Sequence, residues 1–147
     1  MLTFRPATEN DWPAIEALLL QSALPLDGAR GQLDAFILAL DGGTLVATAA
    51  IEAYSSAGLL RSVAVAESHR GRGIGEAVLR LMILEARRRN MRMLCLLTTT
   101  AENYFGRRGF AKASRADAPA ELQASAELAG ACPASATFMT MTVPPAP

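Results

Sequence analysis

"SHRGRGIGEAVLRLM", residues 68–82, sets glycines at 71, 73 and 75 among arginines and directly ahead of a long apolar run. Small residues that leave backbone N–H groups open, positive charge and an immediate helix start together describe an anion-binding turn. Without a ligand, glycines so placed only weaken the first turn they open. Two nucleotide motifs can be tested here. A dinucleotide fingerprint G-x-G-x-x-G starting at Gly71 needs a glycine at 76, where Glu76 stands, and a Walker loop needs Gly-Lys followed by Ser or Thr, which the chain lacks. What remains is R-x-x-G-x-G, Arg70 to Gly75.

On either side of this loop the pattern alternates between strand and helix. "GLLRSVAVA" (58–66) reads as a strand. The helix that follows carries Ile74, Ala77, Val78, Leu81 and Leu84 at helical spacing, and its centre "LMIL" is apolar nearly all round, so it is expected to pack deeply on a sheet. "MRMLCLLTT" (91–99) reads as a buried strand. A strand–helix–strand crossover of this kind is right-handed and makes its two strands parallel. Ligands gather at the carboxyl ends of such strands, where the 68–82 stretch lies.

Farther out, "LTFRPA" (2–7) is a strand, and Thr8 with Asp11 resembles a capping box opening a helix to about Gln21, with Pro13 in its first turn. A loop with Pro25 and Gly28 leads to "DAFILAL" and "TLVATAAIEAY", a hairpin across Asp41, Gly42 and Gly43. "AENYFGRR" is a short helix stopped by Gly109, "GFAKASR" a strand and "ATFMTMTV" the last strand. The fold class is therefore mixed α/β (α+β), in one domain over residues 1–143, with "PPAP" at 144–147 as a disordered tail.

The chain has 147 residues, 51% of them hydrophobic, enough for one sizeable core. No apolar run of about 18 residues suggests a membrane span, and "MLTFRPATEN" lacks a signal-peptide pattern, so a cytoplasmic protein without membrane partners is expected. Cys95 and Cys132 are far apart in apolar surroundings and read as core thiols; no metal site is expected. Charge is unevenly spread. Between Arg61 and Arg115 stand twelve Lys or Arg against four acidic residues, while the rest of the chain has two against ten. That excess favours an anionic ligand in the central segment. "RRRNMR" (87–92) falls at a helix end, where cations complement the dipole, and aromatic residues for base stacking are missing nearby, so a nucleic-acid partner is not expected.

The loop, the strand before it, the helix after it and the downstream "AENYFGRRGF" resemble, in the same order, the GNAT family of acyl-CoA-dependent N-acetyltransferases. The resemblance implies the family's fold, a central mixed, mostly antiparallel sheet of about seven strands flanked by about four helices, with acetyl-CoA as cosubstrate. It implies that Arg70, Gly71, Arg72, Gly73, Ile74 and Gly75, with the amide of Glu76, hold the coenzyme's diphosphate. Backbone groups of Val63, Ala64 and Val65 would pair with the pantetheine arm, in a sheet splayed between "LRSVAV" and "LCLLTT", and Asn103 occupies a position that contacts the coenzyme. Many relatives place a tyrosine five residues before the Phe of Gly-Phe to protonate the departing thiolate. Here that position is Phe105, and its neighbour Tyr104, about 100° away around the helix, is the candidate acid. His69 would sit toward the coenzyme's phosphate end, in a surface role.

"LLTTTAENYFGRRGF" is also similar to the acetyltransferase domains of bacterial N-acetylglutamate synthases. "LLRSVAV", "LLTTTAENYF", the Pro119 region and "ACPASATFM" resemble the small GNAT proteins of arsenic-resistance gene clusters. These resemblances imply transfer to the α-amino group of a small amino acid or glutamate-like analogue, phosphinic and arsinic ones included. An acidic acceptor calls for cations and hydroxyl donors near the thioester. Arg61 and Ser62 on one strand and Thr98, Thr99 and Thr100 at the end of another are the candidates. An interior Arg61 requires a partner, either the acceptor's carboxylate or Glu52 on the preceding strand. Glutamate-acetylating relatives carry an arginine where Thr100 stands. Two other functions are carried forward, a noncatalytic acyl-CoA sensor and a peptide or protein N-acetyltransferase. Relatives often form a homodimer, sometimes by exchanging or abutting carboxy-terminal strands, and "ATFMTMTV" is apolar enough on both faces to be either an internal strand or such an edge.

Overall fold

The computed structural model describes residues 1–145, so the last two positions of the expected tail lie outside the described residues. Seven strands and three α-helices follow in the order β1 (Leu2–Pro6), α1 (Trp12–Gln21), β2 (Phe36–Asp41), β3 (Thr44–Tyr54), β4 (Ala57–Val65), α2 (Ile74–Arg88), β5 (Met93–Thr98), α3 (Glu102–Gly106), β6 (Ala111–Lys112) and β7 (Thr137–Thr142). The strands form one sheet in the order β1-β2-β3-β4-β5-β7-β6. The architecture expected from the sequence is thus present, with 3₁₀ turns such as Arg30–Ala35 taking the place of a further helix.

Contacts divide the chain into two compact units, Met1–Ile51 with Arg61–Leu84, and Glu52–Leu60 with the chain from Glu85 on. In the first unit, β1 and β3 flank β2 in antiparallel register, and the β2–β3 turn is Gly42-Gly43 with φ of +58° and +89°. Two consecutive left-handed residues match the right-handed twist of a hairpin, which is why two glycines sit there. The core of this unit packs Trp12, Ile15, Leu18 and Leu19 of α1 against Leu33, Phe36, Leu38, Leu40, Ala50 and Ala64. Full burial of side chains of this size stabilises by about 1.5–3 kcal/mol each. The Thr8–Asp11 pairing forms as expected, the Thr8 amide donating to Asp11 Oδ2 at 2.7 Å, ahead of a 3₁₀ turn that leads into α1. Arg5 adds a two-pronged ion pair to the same carboxylate, at 2.7 and 2.8 Å.

In the second unit β4 and β5 run parallel, Ala57↔Met93 to Leu59↔Cys95, as the crossover requires. β5 then pairs antiparallel with β7 over Met93↔Thr142 to Thr98↔Thr137. Leu59, Cys95, Leu122 and Phe138 form its core, with Tyr54, Met93, Leu97, Ala113, Ala118 and Leu128 against them. The strand expected over 109–115 shrinks to Ala111–Lys112. The chain from Ser114 onward instead makes short 3₁₀ and π turns over Arg115–Asp117, Ala120–Ala124 and Glu127–Ala131, held by Arg115 donating to the carbonyls of Pro133 and Ala136.

The buried face of α2 also differs from the expected one. Ile74, Val78, Leu79, Met82 and Ala86 are buried, an i, i+4 stripe, whereas Leu84 is 51% exposed. With "LMIL" apolar on every side, periodicity alone leaves the helix's rotation undetermined, and tertiary packing selects the stripe.

The hydrogen bonds of Arg5, then those of Thr8, hold the Asp11 carboxyl far below the usual carboxylate range. A depressed carboxylate contributes stability above its unfolded pKa and loses it as pH falls toward its folded pKa. Asp11→Ala is therefore expected to cost about 1 kcal/mol at neutral pH. The gap in thermal midpoint between variant and wild type is expected to hold constant above about pH 5 and to narrow below about pH 4.

Candidate functional site

β4 leaves the sheet at Val65, makes one 3₁₀ turn over Glu67–His69, and reaches α2 through Arg70–Gly73. The Gly73 carbonyl accepts the Ala77 amide at 3.0 Å, so Gly73 caps the helix. The amides of the first turn, Ile74 to Glu76, have no acceptor within the helix. Gly71 and Gly73 stand at φ of +77° and +78°, a region closed to most side chains, and open space surrounds both. Arg70, Gly71, Arg72 and Gly73 are exposed. Loop amides, a helix N-terminus and two arginines thus meet on one short segment, which is what a diphosphate needs.

Upstream on β4, Ser62 takes φ of +56°, an interruption of the pleat rare in a non-glycine residue. Thr48 Oγ1 donates to the Ser62 carbonyl at 2.8 Å. Val63, Ala64 and Val65 follow, Ala64 buried and the two valines half-buried. Arg61 is buried, at 4% exposure. Its guanidinium donates to the carbonyls of Asp27 at 2.7 Å and Pro25 at 3.2 Å, and Nε donates to Ser62 Oγ at 3.2 Å. A fixed interior cation is thereby tied to the loop after α1, a tether that the strand pattern gave no sign of.

Just before Arg70, His69 Nε2 lies 2.8 Å from Asp41 Oδ2 and Nδ1 lies 2.8 Å from Ser68 Oγ. The Asp41 carboxyl is held below its ordinary value, chiefly by the His69 hydrogen bond and then by the Met1 amino group on its other oxygen. Both ring nitrogens are engaged and the side chain is 17% exposed, so His69 is a cross-link to the end of β2 where a surface residue was expected.

The other candidates belong to the second unit. Thr98 Oγ1 accepts the Ala101 amide at 2.9 Å, which steers the chain into α3, and Thr99 and Thr100 are exposed in the bend between. Asn103 lines a cleft of about 330 Å³ with Glu102, Gly106, Arg107, Phe110, Lys112 and Met139. Tyr104 is half-buried, its ring 3.7 Å beneath the Arg108 guanidinium and edge-on to Phe105, which packs in turn on Phe110. Glu52, 2% exposed, accepts the Tyr54 hydroxyl at 2.6 Å. The two residues share one face of β3, and the sequence signal for the pair was the i, i+2 spacing of a carboxylate and a phenol in a strand. Cys95 is fully buried and its thiol is pushed up to about 11, so it stays protonated at neutral pH. Among the described residues no three His, Cys, Asp or Glu side chains converge as a metal site would need, and no helix is long and apolar enough to cross a membrane.

Comparison with known proteins adds the following. A family model described as an acetyltransferase (GNAT) domain matches residues 32–112, more than half of the chain. No curated protein sequence matches the chain. N-acetylglutamate synthase from Neisseria gonorrhoeae, complexed with coenzyme A and N-acetyl-glutamate, is 24% identical with a TM-score of 0.84, covering 98% of this chain and 35% of the synthase chain. This chain therefore spans about a third of the synthase's length. Rv2747 from Mycobacterium tuberculosis, in complex with CoA, is 23% identical with a TM-score of 0.80 over 97% of this chain and 99% of that one. The ribosomal-protein-S18-alanine N-acetyltransferase from Escherichia coli is 20% identical with a TM-score of 0.76 over 100% and 97%. At such identities the likeness speaks to the fold.

A β-branched side chain at Gly73 would have to enter the left-handed region, at a cost of about 1–2 kcal/mol. Gly73→Val is therefore expected to weaken coenzyme A binding by roughly tenfold or more in calorimetry, and an unchanged affinity would remove the loop from the site.

Proposed function

Because the chain belongs to the GNAT acetyltransferase domain family, a family of acetyl-CoA-dependent N-acyltransferases, we propose that it transfers the acetyl group of acetyl-CoA to the amino group of a small amino acid or glutamate-like analogue. The observation that carries the use of acetyl-CoA is the Arg70–Gly73 loop, whose left-handed glycines open directly into the first turn of α2, while the acceptor class rests on Arg61 and the hydroxyl groups named below. In this reading Arg70 to Gly75 and the Glu76 amide hold the diphosphate, and the backbone of Val63, Ala64 and Val65 aligns the pantetheine arm. The amine, once it has lost a proton, attacks the thioester carbonyl; the C–S bond breaks and the departing thiolate takes up a proton. Tyr104 is the candidate donor of that proton, and Asn103 a coenzyme contact. Arg61 is the candidate receptor for the acceptor's carboxylate. Its burial and its carbonyl tethers give it a fixed direction, and a prepositioned cation costs less to use than a mobile one. Ser62 and Thr98 to Thr100 supply hydroxyl groups beside the two strands.

Phe105 favours a second reading, a noncatalytic acyl-CoA sensor, because it is a buried phenylalanine at the position where many relatives carry the acid. Thiol release from acetyl-CoA, measured over a panel of glutamate-like amines, arsinic and phosphinic analogues and amino-terminal peptides, separates the readings. Turnover is expected on the small acidic amines. Tight coenzyme binding without turnover on any amine would favour the sensor, and turnover on peptides alone would move the acceptor class to proteins.

Two variants bear on the roles within the reaction. Arg61→Met is expected to raise the acceptor KM roughly thirtyfold, as the loss of a charged hydrogen bond predicts, with the acetyl-CoA KM little changed. Tyr104→Phe is expected to lower kcat about a hundredfold with both KM values held, and a kcat equal to wild type would pass the proton to water.

A further inference from the structure

We propose that Asp41 and His69 form a side-chain clip that positions the coenzyme loop, so that a hydrogen bond at the end of β2 sets the affinity for the coenzyme's diphosphate. The inference rests on the loop's assignment to the coenzyme.

A ligand held by backbone amides is bound well only if those amides are fixed beforehand, because any ordering on binding is subtracted from affinity. The chain between β4 and α2 has little of its own to fix it, with one 3₁₀ turn, two left-handed glycines and exposed residues at 70–73. Its anchors can be named. The Ala66 amide donates to the Val46 carbonyl at 2.8 Å, and Arg70 Nε donates to the Val65 carbonyl at 3.1 Å. Both act at the segment's start or within it. The contact of His69 with Asp41 reaches 28 positions along the chain to another strand, and it sits one residue ahead of Arg70.

The far end of this contact is rigid. Asp41 closes β2, pairs with Leu2 on one side and Thr44 on the other, and precedes the Gly42-Gly43 turn. Its carboxylate is ionised well below neutrality and can only accept, so the Nε2 facing it carries a proton whether the ring is neutral or charged. Nδ1 then accepts the Ser68 hydroxyl in the neutral ring and donates to its oxygen in the charged one. The network is complete in both states. The His69 side chain is 17% exposed, largely shielded from water that would compete for the bond. The Met1 amino group bonds the other Asp41 oxygen and leaves the imidazole its own, and Glu67 lies in the same turn as His69. With both nitrogens committed, His69 is a positioning residue rather than a base.

The test compares His69→Phe, Asp41→Ala, the double variant and His69→Gln, whose amide can donate from near the position of Nε2. Coenzyme A affinity is measured by calorimetry, and kcat and acceptor KM by thiol release at saturating acetyl-CoA. The expected result is a dissociation constant raised roughly fivefold to tenfold in His69→Phe and Asp41→Ala, no further loss in the double variant, and near-wild-type binding in His69→Gln, with kcat and acceptor KM within about twofold. Unchanged affinity in His69→Phe, additive losses in the double variant, or a kcat that falls in step with thermal stability would overturn the clip. Gly73→Val, run alongside, tells two failures apart. If it weakens binding while His69→Phe does not, the clip alone falls; if it too binds like wild type, the loop's assignment falls and the clip with it.

Discussion

Two parallel strands cannot be joined by a tight turn; the chain must be carried back along the sheet, and here α2 carries it. That constraint places the end of β4 and the start of a long helix on the same short segment, so a strand end, a left-handed glycine loop and the open amides of a first turn coincide at residues 65–76. The first-turn amides of Ile74 to Glu76, which find no acceptor within the helix, open on that segment. Glu76 and Arg80 pair at i, i+4 just beyond, and Arg88 pairs with Glu85 near the far end, so the helix satisfies part of its own surface charge and leaves Arg70 and Arg72 to the loop.

Each compact unit has its own means of support. The first rests on α1 packed over β2 and on polar ties between elements, Arg5 to Asp11, Arg61 to Pro25 and Asp27, and His69 to Asp41. The second rests on β5, which pairs on both sides, Cys95 with Leu59 across the parallel ladder and with Thr140 across the antiparallel one. On the sheet face Cys95 packs in the core with Leu59, Leu122 and Phe138, and that burial keeps its thiol protonated. The segment from Ser114 to Ala136 lacks strand or α-helix, yet it buries Leu122 completely and Glu127 nearly so, which makes it part of the core rather than an appendage.

Several features were legible because their signals are local. Gly42-Gly43 needs only its neighbours to make a hairpin turn, Thr8 with Asp11 only a three-residue spacing, and Gly71 with Gly73 only the steric freedom that other residues lack. The loop at the centre of the candidate site was readable for the same reason. Others were not legible, because the deciding partner is distant. Apolar residues on all sides of α2 left its buried stripe open, and Leu84 faces out where spacing had placed it in. "GFAKASR" has strand propensity over its length, but its ladder with β7 covers Ala111 and Lys112, with one further bond from the Ala113 amide to the Phe138 carbonyl. The tethers of Arg61 lie 34 and 36 positions away, and no period in the sequence points to a backbone carbonyl.

The sequence by itself determined the order of strands and helices, the parallel crossover, the glycine loop and its likeness to a coenzyme-binding family, since each of these follows from residue type and short spacing. Only the tertiary structure decided which face of α2 is buried, that His69 is bonded to Asp41, and that Arg61 is bonded to two carbonyls. These depend on which surfaces meet when the chain closes on itself, and a contact between distant residues leaves no mark on the spacing of either.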